Sequence, residues 1–224
     1  MPISIGATHE SNFANPIGLL ADCHRRIERF LRVLIRVAAE ARAGPLNAQH
    51  REAIQTALSY FHDAAPIHMA DEEEDLFPAM RRVDRPDLEQ IVARVSRLES
   101  EHNIATAWHQ QVHDIGERWL RQDHLLPHEA AELQKVLTSL AELYRGHIAL
   151  EENEIFPVAQ KALSTSEKEA IGRRMAARRG ARFIVGSPIT EHAGKQQSDS
   201  RIVVAQAPPC FARLEESKEA LAGC

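Results

Sequence analysis

The chain has 224 residues, of which 44% are hydrophobic and 26% are charged, and its formal net charge is −5. These values are typical of a soluble globular protein with its own core, and the acidic balance does not favour a nucleic-acid partner. No apolar run reaches the roughly 18 residues that span a membrane, and the N-terminus lacks the basic start and apolar stretch of a secretory signal. Three widely spaced cysteines, Cys23, Cys210 and Cys224, form no disulfide framework. We therefore expect a reduced, cytoplasmic protein with no membrane partner.

Apolar residues recur every three or four positions in four long segments, a spacing that predicts four helices. The segments run from Pro16 to the Gly44-Pro45 break, from after Asn47 to about Arg82, from near Pro86-Asp87 to about Arg121, and from about Pro127 to near Leu163. Pro66 and Pro78 are expected to kink or divide the second helix, because proline removes a backbone donor.

A capping-box pattern beginning at Ser164 predicts a short fifth helix that ends at Gly180. Residues 181–224 contain several Gly, Pro and Ser and no sustained period, so we expect an irregular C-terminal tail, either disordered or docked on the bundle. The sequence thus predicts an all-α protein with an N-terminal extension (1–14), a four-helix bundle (15–163), a short helix (164–180) and the tail (181–224).

The second and fourth helices contain an internal repeat. HMADEEEDLFPAM begins at His68, and HIALEENEIFPVA begins at His147. In each copy a glutamate follows the histidine by four residues, and an acidic cluster and an apolar-Phe-Pro ending come next. Such a repeat predicts two helical hairpins that each supply half of a common site.

Histidine and glutamate occupy six positions in the apolar stripes of the four helices. Because residues three, four or seven apart share a helix face, spacing places all six side chains toward the core. Their burial is costly unless they are paired, and cations would offset that cost. Imidazole and carboxylate suit iron, manganese or zinc, and six donors from four helices exceed one tetrahedral zinc and suit two metals. The predicted metal ligands are His24, His68, Glu72, His102, His147 and Glu151.

These residues, with the two His-x-x-x-Glu and Phe-Pro elements, resemble the hemerythrin-like, or HHE cation-binding, domain of the bacterial type. The resemblance covers roughly residues 15–163. It implies an up-down bundle around two iron ions in an oxo- or hydroxo-bridged di-iron centre, held by the six positions named above, with Glu72 and Glu151 as bridges.

The sequence departs from the oxygen-carrying hemerythrins at one ligand position. Those proteins place a second histidine four residues after the first in the third helix, where this chain has Thr106. Their last helix also has a longer step from histidine to carboxylate. The pattern is therefore closer to bacterial relatives associated with iron, nitric oxide or redox handling, and one iron is expected to keep an open or solvent position.

Neighbouring polar and aromatic residues have simpler interpretations. His109 lies seven residues after His102, and a hydrogen bond from its ring to a carboxylate of the site and plain core packing are equally supported. Cys23 is interpreted as a structural free thiol. His62 and His113 are predicted to be solvated, and core packing is favoured for Tyr60, Trp108 and Tyr144. Outward-facing charge is predicted for Glu73, Glu74, Asp75, Glu152 and Glu154, with Glu73 also able to attract a cation.

Three functions of different classes follow. The leading hypothesis is a non-haem di-iron binding protein that senses, stores or handles O2, NO or iron, with a small diatomic molecule as its ligand. The second is a di-iron enzyme that reduces nitric oxide or peroxide. The third is a zinc- or manganese-loaded structural bundle that acts as an interaction module. The sequence identifies no redox or protein partner.

Overall fold

The computed structural model describes residues 11–83 and 89–181, apart from the side chain of residue 92. The predicted tail from residue 182, the first ten residues, the start of the third helix near Pro86, Cys210 and Cys224 lie outside the described residues. The elements are α1 (Pro16–Ala41), α2 (Ala48–Asp63), α3 (Ala65–Ala70), the π-helical turn π1 (Asp71–Leu76), α4 (Phe77–Arg81), α5 (Glu89–Gln122), α6 (Pro127–Leu150), the turn π2 (Glu151–Ile155), α7 (Phe156–Ala162) and α8 (Thr165–Arg178).

The elements form four antiparallel rods. The first rod is α1, the second runs from α2 through π1 to α4, the third is α5, and the fourth runs from α6 through π2 to α7. Consecutive rods contact each other and the fourth contacts the first, as in an up-down bundle with short loops. All regular structure in the described residues is helical, which confirms the predicted all-α, up-down four-helix bundle with a short fifth helix. None of the described helices is long and apolar enough to cross a membrane.

The rods begin and end through local side-chain chemistry. Asn15 caps α1 by accepting a hydrogen bond from the Gly18 N–H at 3.1 Å, and Pro16 fills the first helical position, where its missing donor costs nothing. The predicted capping box opens α8. There the Ser164 hydroxyl accepts from the Glu167 N–H, and the Glu167 carboxylate accepts from the Ser164 N–H at 2.8 Å.

Two π-helical turns interrupt the rods that carry the internal repeat. The Phe77 N–H donates to the carbonyl of Glu72, five residues earlier, and the Phe156 N–H donates to that of Glu151 in the same way. A proline follows each phenylalanine, in the first turn of the next helix. Each Phe-Pro pair follows a π turn inside its rod, because a proline without an N–H cannot continue the preceding α-helical bonds but can start a new helical turn.

Two apolar clusters fill the bundle on either side of a polar layer. On α1, Leu20 belongs to one cluster and Ile27 to the other, and His24 lies between them in sequence. On α5, Leu98 and Ala105 belong to the two clusters in the same way. The polar side chains at the centre of the bundle therefore have a dry, apolar environment above and below them.

Helix α8 covers π1 through ion pairs in the interior. Asp71 is fully buried and pairs with both Arg178 and Arg179, while Asp75 is 1% exposed and pairs with Arg174 and Arg178. Burial raises the pKa of Asp71, and the two arginines oppose that rise. The prediction that Asp75 is outward-facing charge was wrong, because α8 returns over this face of the second rod.

Candidate metal centre

The six side chains predicted as ligands meet in the polar layer of the bundle. They come from all four rods, with one histidine from α1, one from α5, and a histidine and glutamate pair from each repeat. All six are buried, and none is more than 4% exposed. The structure therefore brings together His24, His68, Glu72, His102, His147 and Glu151. Their role as metal ligands remains a prediction at this point.

Each central glutamate faces imidazoles from different rods. Glu72 Oε1 lies 3.8 Å from His24 Nε2 and 3.6 Å from His68 Nε2, and its Oε2 lies 3.4 Å from His102 Nε2. Glu151 Oε2 lies 3.0 Å from His24 Nε2, and its Oε1 lies 3.3 Å from His147 Nε2. Each carboxylate thus lies between imidazoles that come from different rods.

The donor atoms fall into two overlapping groups. One contains Glu72, His102, His147 and Glu151, and the other contains His24, His68 and Glu72. Within each group every donor atom lies within 4.8 Å of the others. Since Glu72 belongs to both, the arrangement offers two adjacent cation positions that share a carboxylate.

Several buried polar atoms of the centre lack a hydrogen bond. Both carboxylate oxygens of Glu72, both of Glu151 and Nε2 of His24 have no hydrogen-bond partner among the described residues. Unsatisfied buried carboxylates are costly, and native structures contain few of them. Cations placed among these atoms would supply the missing partners, and the donor set suits first-row transition metals. The residues present therefore fit a metal centre.

Nearby carboxylates raise the pKa values of two imidazoles in the centre. Burial opposes the charged form of His24, but the carboxylates of Glu151, Glu152 and Glu72 raise its pKa well above the usual value. Burial likewise opposes the charge of His102, yet Glu72 and Glu73 raise its pKa to about 9. Metal binding requires neutral imidazole, so cations and protons compete for the centre.

An outer set of carboxylates holds three of the four imidazoles. Nδ1 of His24 donates to Glu152 Oε1 at 2.9 Å, and Nδ1 of His102 donates to Glu73 Oε1 at 2.8 Å. Nδ1 of His147 donates to Glu101 Oε2 at 2.9 Å. Such contacts orient the ring and direct Nε2 toward the site.

These outer contacts were not predicted from the sequence. Glu73 and Glu152 were predicted as outward-facing charge, and each side chain is 39% exposed, but each also binds a histidine of the centre. A signal was present, because both residues directly follow a central glutamate, at the same place in the two repeats. Glu101 directly precedes His102 and lies outside both copies of the repeat. The repeat therefore gave no signal for its contact with His147.

His109 is a core histidine beside the centre. Its Nε2 lies 3.0 Å from the hydroxyl of Tyr144, and its ring packs against Phe61. Burial lowers the pKa of His109 to about 4. No carboxylate contacts it among the described residues, so the structure supports the core alternative. Cys23 is also buried, as predicted for a structural thiol, and its carbonyl accepts a hydrogen bond from Tyr60 at 3.3 Å.

Comparison with known sequences identifies the family of the chain. Residues 15–159 match the hemerythrin HHE cation binding domain. The chain belongs to this family. The matched segment includes all six residues of the centre, and the resemblance inferred from the repeated motif is confirmed.

One relative of this HHE protein is an uncharacterized protein from Haemophilus influenzae. It is 28% identical over 169 residues, which cover 73% of this chain and 90% of the relative. The name of that relative assigns it no activity. The family and the buried His and Glu groups together support cation binding by this chain.

Proposed function

We propose that this HHE protein is a cytoplasmic non-haem di-iron protein that senses, stores or handles O2, nitric oxide or iron. Its six donors are His24, His68, Glu72, His102, His147 and Glu151. The observation that supports the proposal is that the four oxygens of Glu72 and Glu151 lack hydrogen bonds while imidazoles surround them. When bound, iron would supply reversible redox chemistry and coordination of small molecules.

The protein's own residues orient the imidazoles and exclude water. Phe156 stacks on the ring of His24 at 5.3 Å between centroids, and Phe77 lies parallel to His102 at 6.4 Å. The outer carboxylates hold the opposite edges of these rings. The imidazoles of His24 and His102 are therefore fixed before a cation arrives, which reduces the entropy lost on binding.

Thr106 stands where the oxygen carriers have a further histidine, so this chain has one imidazole fewer. The Thr106 hydroxyl donates to the His102 carbonyl at 2.9 Å, on its own helix. The six donors do not fill the coordination shells of two irons that each prefer about six ligands. Water or a diatomic ligand would take the remaining positions.

Metal analysis with optical spectroscopy tests the proposal. Protein purified without added metal should contain about two irons per chain and should absorb in the oxo-to-iron charge-transfer region. Addition of nitric oxide to the reduced protein should change that spectrum. Zinc or manganese in place of iron would favour the structural interaction module, and protein without bound metal would overturn the di-iron proposal.

A di-iron enzyme that reduces nitric oxide or peroxide is the second candidate. A cavity of about 100 Å³ favours it by offering space for a small substrate, and its lining includes Met69, the residue after His68, and Thr106, one turn after His102. Repeated turnover of nitric oxide or hydrogen peroxide in stopped-flow experiments with a reductant would support the enzyme. Stoichiometric binding without turnover would leave the binding protein as the better account.

A further inference from the structure

Within the part of the chain that the structure describes, one histidine of the centre lacks the outer carboxylate that the other three have. Glu152, Glu73 and Glu101 bind Nδ1 of the other three histidines. Nδ1 of His68 is buried and has no hydrogen-bond partner among the described residues. Its Nε2 lies 3.6 Å from Glu72 Oε1 and therefore faces the centre. The opposite ring nitrogen makes no hydrogen bond to the described residues that would fix the orientation of the ring.

The internal repeat shows where the missing partner would stand. Each hairpin supplies a lone histidine and then one copy of the motif. His24 and His68 come from the first hairpin, and His102 and His147 from the second. Glu101 directly precedes the lone histidine of the second hairpin and binds His147. Cys23 stands at the matching place in the first hairpin, buried, with its sulfur 3.7 Å from Arg26 Nη1.

The missing carboxylate at His68 is expected to lower metal affinity. A carboxylate on the far nitrogen makes an imidazole a better donor, and its loss typically costs about 10- to 100-fold in affinity. The donor groups are unequal as well, since the group with His147 has four donors and the group with His68 has three. Both differences favour tighter binding at the cation position beside His102 and His147.

We infer that the two cation positions are unequal, with the position served by His102 and His147 filling first and the position served by His24 and His68 binding its cation more weakly. This inference rests on the proposed dinuclear centre. His68 is the exchangeable ligand, and Glu101 is a positioning residue that makes the other position tight. The ligand class is a divalent first-row transition metal. The weaker position is the one from which metal dissociates more readily.

Calorimetric titration of the cation-free full-length chain with cobalt(II) tests the inference. Cobalt(II) shares the nitrogen and oxygen ligand preference of the first-row metals and needs no added reductant. We expect two binding events whose dissociation constants differ by at least about 10-fold. Two events of equal affinity would overturn the inference and leave the dinuclear proposal intact. Saturation at one ion, or no binding, would overturn both.

Substitution at Glu101 separates positioning from a general structural effect. Glu101→Gln should weaken the tighter event by about 10- to 100-fold and leave the weaker one within error, so that the two constants approach each other. Glu99→Gln is the matched control, since Glu99 lies on the same helix and pairs with Arg81 at the surface. That variant should leave both constants unchanged. Equal weakening of both events by Glu101→Gln would contradict the inference.

His68→Gln assigns the two events to their positions. It should abolish the weaker event and preserve the tighter one. If it removes the tighter event instead, the assignment is wrong. Should this variant fail to fold, the Glu101→Gln titration alone decides the inference, because it leaves all six donors in place.

Discussion

Glu73 and Glu152 occupy equivalent positions in the internal repeat, and each holds a histidine of the other hairpin. Glu73 on the second rod binds His102 on the third at 2.8 Å, and Glu152 on the fourth rod binds His24 on the first at 2.9 Å. These two contacts connect the hairpins across the centre. The repeat therefore builds both the central donors and the outer contacts that orient them.

Loss of a central histidine should reduce both metal content and stability. In His147→Ala, one imidazole and the Glu101 contact disappear, and metal binding to the native state weakens. A ligand at 100 times its dissociation constant stabilises the native state by about 2.7 kcal/mol, so loss of saturation should lower the free energy of unfolding by about that amount. Chemical denaturation with parallel metal analysis measures both quantities.

The control for that experiment is a histidine outside the centre. His62 is 66% exposed and pairs only with Asp63 among the ion pairs of the described residues. His62→Ala should retain the wild-type metal content and unfolding free energy. Wild-type metal content in His147→Ala would count against its place among the ligands.

Removal of Arg179 should destabilise the attachment of α8. The Arg179 side chain is 5% exposed and pairs with the fully buried Asp71. Loss of one partner from a buried ion pair costs about 3–5 kcal/mol, and we expect the lower end of this range because Arg178 still pairs with Asp71. Urea denaturation of Arg179→Ala measures the change.

An exposed arginine of the same helix provides the comparison. Arg173 is 51% exposed and pairs with Glu169 one turn away. Exposed pairs of this kind contribute about 0.3–0.5 kcal/mol, so Arg173→Ala should have a much smaller effect. Equal effects from the two variants would show that the buried network does not hold α8.

Two helical glycines should respond oppositely to alanine. A Cβ on Gly172 would collide with the backbone carbonyl of Phe13, whereas a Cβ on Gly146 would meet nothing within 4 Å. Gly146→Ala should therefore stabilise the protein by about 0.5–1 kcal/mol through backbone entropy. Gly172→Ala should lower the melting temperature, because α8 must move away from the N-terminal segment. A melting temperature for Gly172→Ala at or above that of wild type would refute this close packing.

His109 should make stability fall in acid. Burial lowers its native pKa to about 4, whereas an unfolded histidine titrates with its usual pKa of about 6.5. Between these values the unfolded state binds the extra proton, so stability is lost as the pH falls from about 6.5 to 4, by about 1 kcal/mol per pH unit. Unfolding of metal-free wild type and His109→Gln across this range isolates the effect. Parallel pH profiles of the unfolding free energy for the two proteins would contradict this prediction.

Spacing alone predicted the parts of the structure that depend on helical periodicity. The positions of His24 and His102 on the core faces of their helices follow from steps of three, four and seven residues. The helix limits also agree closely, since α1 begins at Pro16 and α6 begins at Pro127, as predicted. Periodicity fixes such features because one helix face must be buried whatever its neighbours are.

Features that depend on distant partners could not be predicted in this way. Asp75 lies in an acidic run, and only α8, about a hundred residues later, supplies the arginines that bury it. Glu101 has the local pattern of a surface residue and pairs with Arg97 one turn away. Its contact with His147 arises only when the third and fourth rods pack together. Local sequence does not encode these pairings, and tertiary packing determines them.

The most direct test of the account is anomalous diffraction at the iron absorption edge from crystals of the protein purified without added metal. The account predicts two anomalous peaks between Glu72 and Glu151, one beside His102 and His147 and the other beside His24 and His68. The absence of peaks among these six side chains, or iron bound elsewhere on the chain, would contradict it.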